Sequence, residues 1–129
     1  YAFGGTPWLE EQIKGKDSLV FGNIIYWISK EYEGEYIVPE GITRIGGGAF
    51  AGCEKLTSVI FPESVTDIYD YAFQGCTNLT NIEILGKETL VYEYAFLECD
   101  NIERIVIIEG SKVEKWAKSW GYKDALVLK

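Results

Sequence analysis

The chain has 129 residues, with 12 Lys and Arg against 20 Asp and Glu, for a net charge of −8. That balance argues against binding nucleic acid or an anionic membrane surface, since both need concentrated Lys and Arg. A hydrophobic content of 47% and an aromatic content of 15% suit one folded domain with a continuous core and exclude a disordered chain.

There is no His. This removes Ser-His and Cys-His nucleophilic pairs, His-ligated zinc and the usual general base near neutral pH. No run approaches the length of an apolar membrane span, and no secretory leader pattern is present. The chain opens in mid-repeat at Tyr1-Ala2-Phe3 and has no Met. We read it as a fragment of a longer protein, with any export signal or wall anchor outside it.

Residues 1–9 read as the end of a repeat. Ala2-Phe3-Gly-Gly-Thr6-Pro-Trp-Leu9 aligns with Ala49-Phe50-Ala-Gly-Cys53-Glu-Lys-Leu56. Residues 10–35 interrupt the pattern. Within them, Ser18–Phe21 and Ile24–Ile28 are β-branched and aromatic and flank Gly22-Asn23, a two-residue hairpin signal. We expect the hairpin to extend or cover one end of the structure.

Residues 36–105 repeat at a fixed step of 23 residues. Ala49-Phe50, Ala72-Phe73 and Ala95-Phe96 keep that step, as do Cys53, Cys76 and Cys99, and Leu56, Leu79 and Ile102. Ile45, Ile68 and Val91 precede each Ala-Phe in the same register. Such a period marks a stacked repeat, and Leu56-x-x-Val59-x-Phe61 with its later copies is a leucine-rich-repeat strand. Alternation points Val59 and Phe61 inward and Ser58 and Ile60 outward. Pro39 and Pro62 end each strand. A second extended piece follows at Ile42–Ile45 and Val65–Ile68. The Ala-Phe-x-x-Cys segment then places Ala72, Phe73 and Cys76 on one face of a helical turn. No coil can bury its apolar face alone, so stacking closes the core.

Residues 106–129 break the period. Ser111-Lys-Val-Glu114 has the form of a capping box. Val113, Trp116, Ala117 and Trp120 recur at helical spacing, Gly121 stands where a helix-ending glycine belongs, and Ala125–Leu128 reads as a last strand. We expect an end cap, with 1–129 forming a single domain.

Val-Thr-x-Ile-x-x-x-Ala-Phe-x-Gly-Cys-x-x-Leu, carried by Ile42–Leu56 and Val65–Leu79, resembles the BspA-like, or Treponema-type, leucine-rich repeats of bacterial surface proteins. The third copy departs from it, with Thr89-Leu-Val91 and with Leu97-Glu98 ahead of Cys99. The resemblance implies an α/β repeat solenoid: a right-handed leucine-rich-repeat stack of short strands and helical turns, an N-terminal β-hairpin and a helix-plus-strand cap. It implies a non-catalytic protein-binding or adhesion module, exported and placed at the cell surface. The partner is then a host or bacterial surface protein, or a glycan. A spacer role is the plainer alternative. The motif residues are structural, so no catalytic residue, cofactor or metal ligand carries over.

Several groups invite chemistry. Gly46-Gly47-Gly48 lacks the Lys-Ser/Thr of a phosphate loop and occupies the turn slots of Tyr69-Asp70-Tyr71. The three cysteines are odd in number and point the same way, so they read as buried thiols and not as disulfides or a zinc site. Asp67, Asp70, Glu93 and Asp100 match no calcium loop and read as a solvated face. Tyr69/Tyr92 and Tyr71/Tyr94 form two ladders, either bracing adjacent coils or offering a flat aromatic platform. The outward strand slots are Ile37, Ile60, Glu83 and Val106, with Glu35, Ser58, Asn81 and Arg104 two residues earlier. This open face is either covered, by the hairpin or by further repeats, or a partner-binding surface.

Overall fold

A computed structural model of the chain describes Pro7, Glu11 and residues 13–129. The repeat end expected at residues 1–9 lies outside the described residues, Pro7 apart. Among the described residues, two five-stranded sheets enclose the core. The front sheet runs in the order β10-β9-β7-β5-β3, all parallel. Its strands are β3 (Gly34–Ile37), β5 (Leu56–Phe61), β7 (Asn81–Ile84), β9 (Arg104–Ile107) and β10 (Leu126–Leu128). The back sheet runs β1-β2-β4-β6-β8. It holds β1 (Ser18–Phe21), β2 (Ile24–Ile28), β4 (Arg44–Ile45), β6 (Asp67–Ile68) and β8 (Leu90–Val91). One strand from each sheet per coil gives the solenoid that the repeat implies.

The strand phase follows the alternation. Val59 and Phe61 are fully buried, while Ser58 and Ile60 on the opposite face are half-buried. Ile45 and Ile68 are buried from the back sheet. Between the sheets runs a column of rings. Phe73 stacks on Phe50 at 4.4 Å and on Phe96 at 4.9 Å, both with 12° between ring planes.

The Ala-Phe-x-x-Cys segment is not a stretch of α-helix. Alternate amides close local turns three residues back, as in Ala72→Tyr69, Gln74→Tyr71 and Cys76→Phe73. The amides between them cross to the next coil, Tyr71 to Tyr94, Phe73 to Ala95 and Gly75 to Leu97, at 2.8–3.0 Å. The segment is thus a third inter-coil ladder built from single 3₁₀-type turns. Its register needs a left-handed residue just before each Cys. Gly52 and Gly75 supply φ 73° there, and Glu98 adopts φ 63° in the third copy. One glycine of the triplet is explained the same way: Gly48 has φ 74° in the slot where Tyr71 has φ 65°.

The hairpin joins the back sheet. Gly22 opens its turn at φ 55°, and β2 then pairs in parallel with β4 through Ile24↔Arg44 and Ile25↔Ile45. It extends the stack and lies on the other sheet from the outward slots of β3, β5, β7 and β9. The expectation that the hairpin covers those slots is therefore corrected.

At the far end, α1 (Val113–Ser119) buries Val113, Trp116 and Ala117 against the last coil. Its C-terminus is a Schellman motif. Tyr122 donates to the Ala117 carbonyl at 2.9 Å and Gly121 to Lys118 at 3.1 Å, with Gly121 at φ 81°. Its N-terminus departs from expectation. The N-cap is Lys112, with no side-chain cap. The Ser111 hydroxyl is buried without a hydrogen-bond partner, while Glu114 pairs with Lys118 at 2.7 Å. The capping box fails because the Ser111 backbone carbonyl, not its hydroxyl, accepts the Glu114 amide at 3.3 Å.

Candidate functional site

The front sheet turns two rows of side chains outward. Strand register sets them, because neighbouring parallel strands hold equivalent slots side by side. One row is Ile37, Ile60, Glu83, Val106 and Val127. The other is Glu35, Ser58, Asn81 and Arg104. Together with Lys129 most of these line a shallow groove of about 370 Å³.

The rows are graded along the solenoid axis. Ile37 is 63% exposed and Ile60 half-buried, whereas Val106 is only 8% exposed. Val106 is thus the most covered member of its row, though it still lines the groove. The cap strand β10 sets Val127 beside it, and Lys129 reaches over to Glu83 at 2.9 Å. Glu83 is thereby neutralised in place, which resolves how a carboxylate sits in an apolar row. Glu35 accepts a hydrogen bond from the Ser58 hydroxyl at 3.2 Å. Arg104 lines the same groove and stays exposed. Val127 and Lys129 escape a reading by period, because β10 lies outside the repeat and its register is set only on docking.

The tyrosine ladders form as expected. Tyr71 and Tyr94 lie nearly parallel, at 6.1 Å and 9°. Tyr69 and Tyr92 are tilted, at 4.8 Å and 49°. Tyr92 and Tyr94 are 37% and 40% exposed, and Tyr69 and Tyr71 are half-buried. The Tyr92 hydroxyl donates to Asp67 at 3.3 Å, and partial burial together with that carboxylate raises its pKa. Asp70 accepts the Tyr94 backbone amide at 2.9 Å, so this carboxylate braces adjacent coils. Trp120 of the cap meets Tyr94 edge-on at 5.9 Å, a neighbour the period does not reveal.

Cys53, Cys76 and Cys99 are free and buried. Cys76 donates to the Phe50 carbonyl at 3.1 Å and Cys99 to Phe73 at 3.0 Å, each reaching one coil back. Burial pushes the Cys53 thiol up to about 11 against the opposing pull of Lys30. The neighbouring Cys99 thiol, then burial, pushes Cys76 up as well. Thiols held protonated in this way are poor nucleophiles and poor metal ligands. Among the described residues, no group of three or more Cys, Asp or Glu side chains gathers as a metal site. No helix among them is long and apolar enough to cross a membrane.

The recurring slots, the two strand ladders and the buried ring column are the anatomy of one repeat type. The family model described as "BspA type leucine rich repeat region (6 copies)" matches residues 32–119. The chain belongs to the BspA-type leucine-rich repeat family. A solved structure similar to it is a leucine-rich cell surface protein of Faecalibacterium prausnitzii A2-165, at 22% identity and a TM-score of 0.49. The match covers 81% of this chain and 34% of that one, so the chain spans about a third of that protein's length. No curated protein matches the chain. In this BspA-type chain the motif residues build the buried coil.

Proposed function

We propose that this chain is a non-catalytic protein-binding or adhesion module of an exported bacterial surface protein, and that it docks through its front sheet. The observation that carries the reading is the graded face itself. Ile37 and Ile60 present apolar surface beside the polar row Glu35, Ser58, Asn81 and Arg104 on five hydrogen-bonded strands. Exposed apolar side chains beside a polar row on a rigid support suit a recognition surface. The family, which the repeat motif places among bacterial surface proteins, favours an extracellular setting. The lack of His and the protonated thiols disfavour catalysis.

The test compares binding of the bead-coupled chain to intact bacterial and host epithelial cells for the parent, Ile37→Asp and Ile60→Asp. A charge at a central contact costs about 2 kcal/mol or more, so we expect at least ~tenfold weaker binding with an unchanged circular dichroism spectrum. Equal binding by both variants removes the front sheet as the docking surface. No binding by the parent removes the adhesion reading.

A second reading rests on the aromatic corner of Tyr71, Tyr94 and Trp120, whose partly exposed rings suit stacking against a sugar. A glycan array probed with the parent and with Tyr94→Ala separates the two. Hits that vanish in Tyr94→Ala support carbohydrate recognition, and a blank array for the parent ends it.

A further inference from the structure

The front sheet carries three acidic or basic positions in its outward rows ahead of the cap, and two of them meet no counter-charge among the described residues. Glu83 is taken by Lys129. Among the described residues Glu35 has a hydroxyl partner, Ser58, but no cation. Among the described residues no carboxylate pairs with Arg104. Glu35 and Arg104 occupy the same register row, on β3 and β9, with Ser58 and Asn81 between them. The row therefore runs from an anion to a cation across three strand spacings, about 14 Å at ~4.8 Å each.

We propose that this row recognises an extended peptide segment laid across the strands, with a basic residue over Glu35 and an acidic residue four positions away over Arg104. An extended chain advances about 3.3 Å per residue, so side chains at i and i+4 on one face stand about 13 Å apart and match the row. The residue at i+2 falls over Ser58 and Asn81, whose hydroxyl and amide suit a small polar side chain. The partner's apolar contacts then reach Ile37 and Ile60 in the parallel row. Opposed charges at fixed spacing select a register and reject like-charged segments. The proposal rests on docking through the front sheet and specifies what docks there.

The test is a peptide array of Lys-Thr-Ser-Thr-Asp and relatives in which the two charges stand two, four or six residues apart, or carry the same sign. It is probed with biotinylated chain on fluorescent streptavidin, so that four copies lift weak binding into range. We expect the four-residue spacing to bind about fivefold better than the others, and the difference to shrink in high salt. Glu35→Lys shifts the preference to doubly acidic peptides and Arg104→Glu to doubly basic ones. The double variant restores the opposed-charge class. A blank array overturns the proposal, as does indifference to spacing or a preference that survives Arg104→Glu. Should Ile60→Asp abolish cell binding while the array shows no preference, the front sheet docks and the charge row does not select. Should the array preference hold while Ile37→Asp and Ile60→Asp both bind cells as the parent does, cell docking does not use the apolar row and the charge row binds peptide without it.

Discussion

Phe73→Ala is expected to lower stability by about 4 kcal/mol, the largest loss from any single ring in the column. Burying and then deleting a Phe side chain costs roughly 3–5 kcal/mol, because the transfer free energy is lost and a cavity remains. Phe73 stands toward the upper part of that range for a structural reason. Among the described residues it meets three rings: Phe50 at 4.4 Å, Phe96 at 4.9 Å and Phe61 edge-on at 5.7 Å. Among those residues Phe50 and Phe96 each meet two, the second being Tyr36 for one and Trp116 for the other. Each such pair adds about 0.5–1.5 kcal/mol beyond burial. In a solenoid, stability is carried by contacts between neighbouring coils, and Phe73 belongs to the coil that joins the hairpin side to the cap side. A total stability of about 5–15 kcal/mol leaves the variant marginal. Guanidinium unfolding of the parent, Phe73→Ala, Phe50→Ala and Phe96→Ala checks the order. A loss under about 1.5 kcal/mol for Phe73→Ala, or a larger loss at either neighbour, contradicts the account.

The buried thiols predict a loss of stability at alkaline pH. Cys53 has its pKa pushed up to about 11, against about 8.5 for a thiol in the unfolded chain. Between those values the unfolded chain has lost the proton and the native state has kept it. The native state then binds more protons, so stability falls as pH rises and is fully present below about 8.5. From pH 8.5 to 9.5 the expected decline is about 1 kcal/mol from Cys53, with Cys76 adding in the same direction because its pKa is raised too. Cys53→Ala changes the absolute stability by leaving a gap, so the slope with pH is the quantity to compare, and it should be shallower in the variant. The same burial predicts slow iodoacetamide labelling of the native protein at pH 8, limited by opening of the coils and not by thiol chemistry. Rapid labelling without denaturant, or an identical slope in Cys53→Ala, refutes the argument.

The coil was legible because its side-chain pattern is local and recurs. Val59 and Phe61 inward, Ser58 and Ile60 outward, Ala72-Phe73 and Cys76 in the core all follow from alternation and from the step of 23 residues. The front-sheet rows were legible for the same reason, since equivalent slots in parallel strands must align. The Ala-Phe-x-x-Cys segment was legible as a turn but not as a ladder. Its alternate amides bond to the next coil, and spacing within one coil says nothing of that.

The residues themselves determined the repeat, its core slots and the outward rows, because strand period and turn chemistry act over a few neighbours. Only the tertiary structure decided how open those rows are. Val106 has the same slot as Ile60, yet β10 docks beside it and leaves it 8% exposed. Glu83 looks like an uncompensated charge until Lys129, 46 residues later, reaches it. Ser111 looks like a cap until its hydroxyl is buried without a partner. Each outcome depends on which distant segment arrives to cover, pair or displace a side chain. Such contacts are set by the free energy of packing whole elements together, and no window along the chain contains both partners.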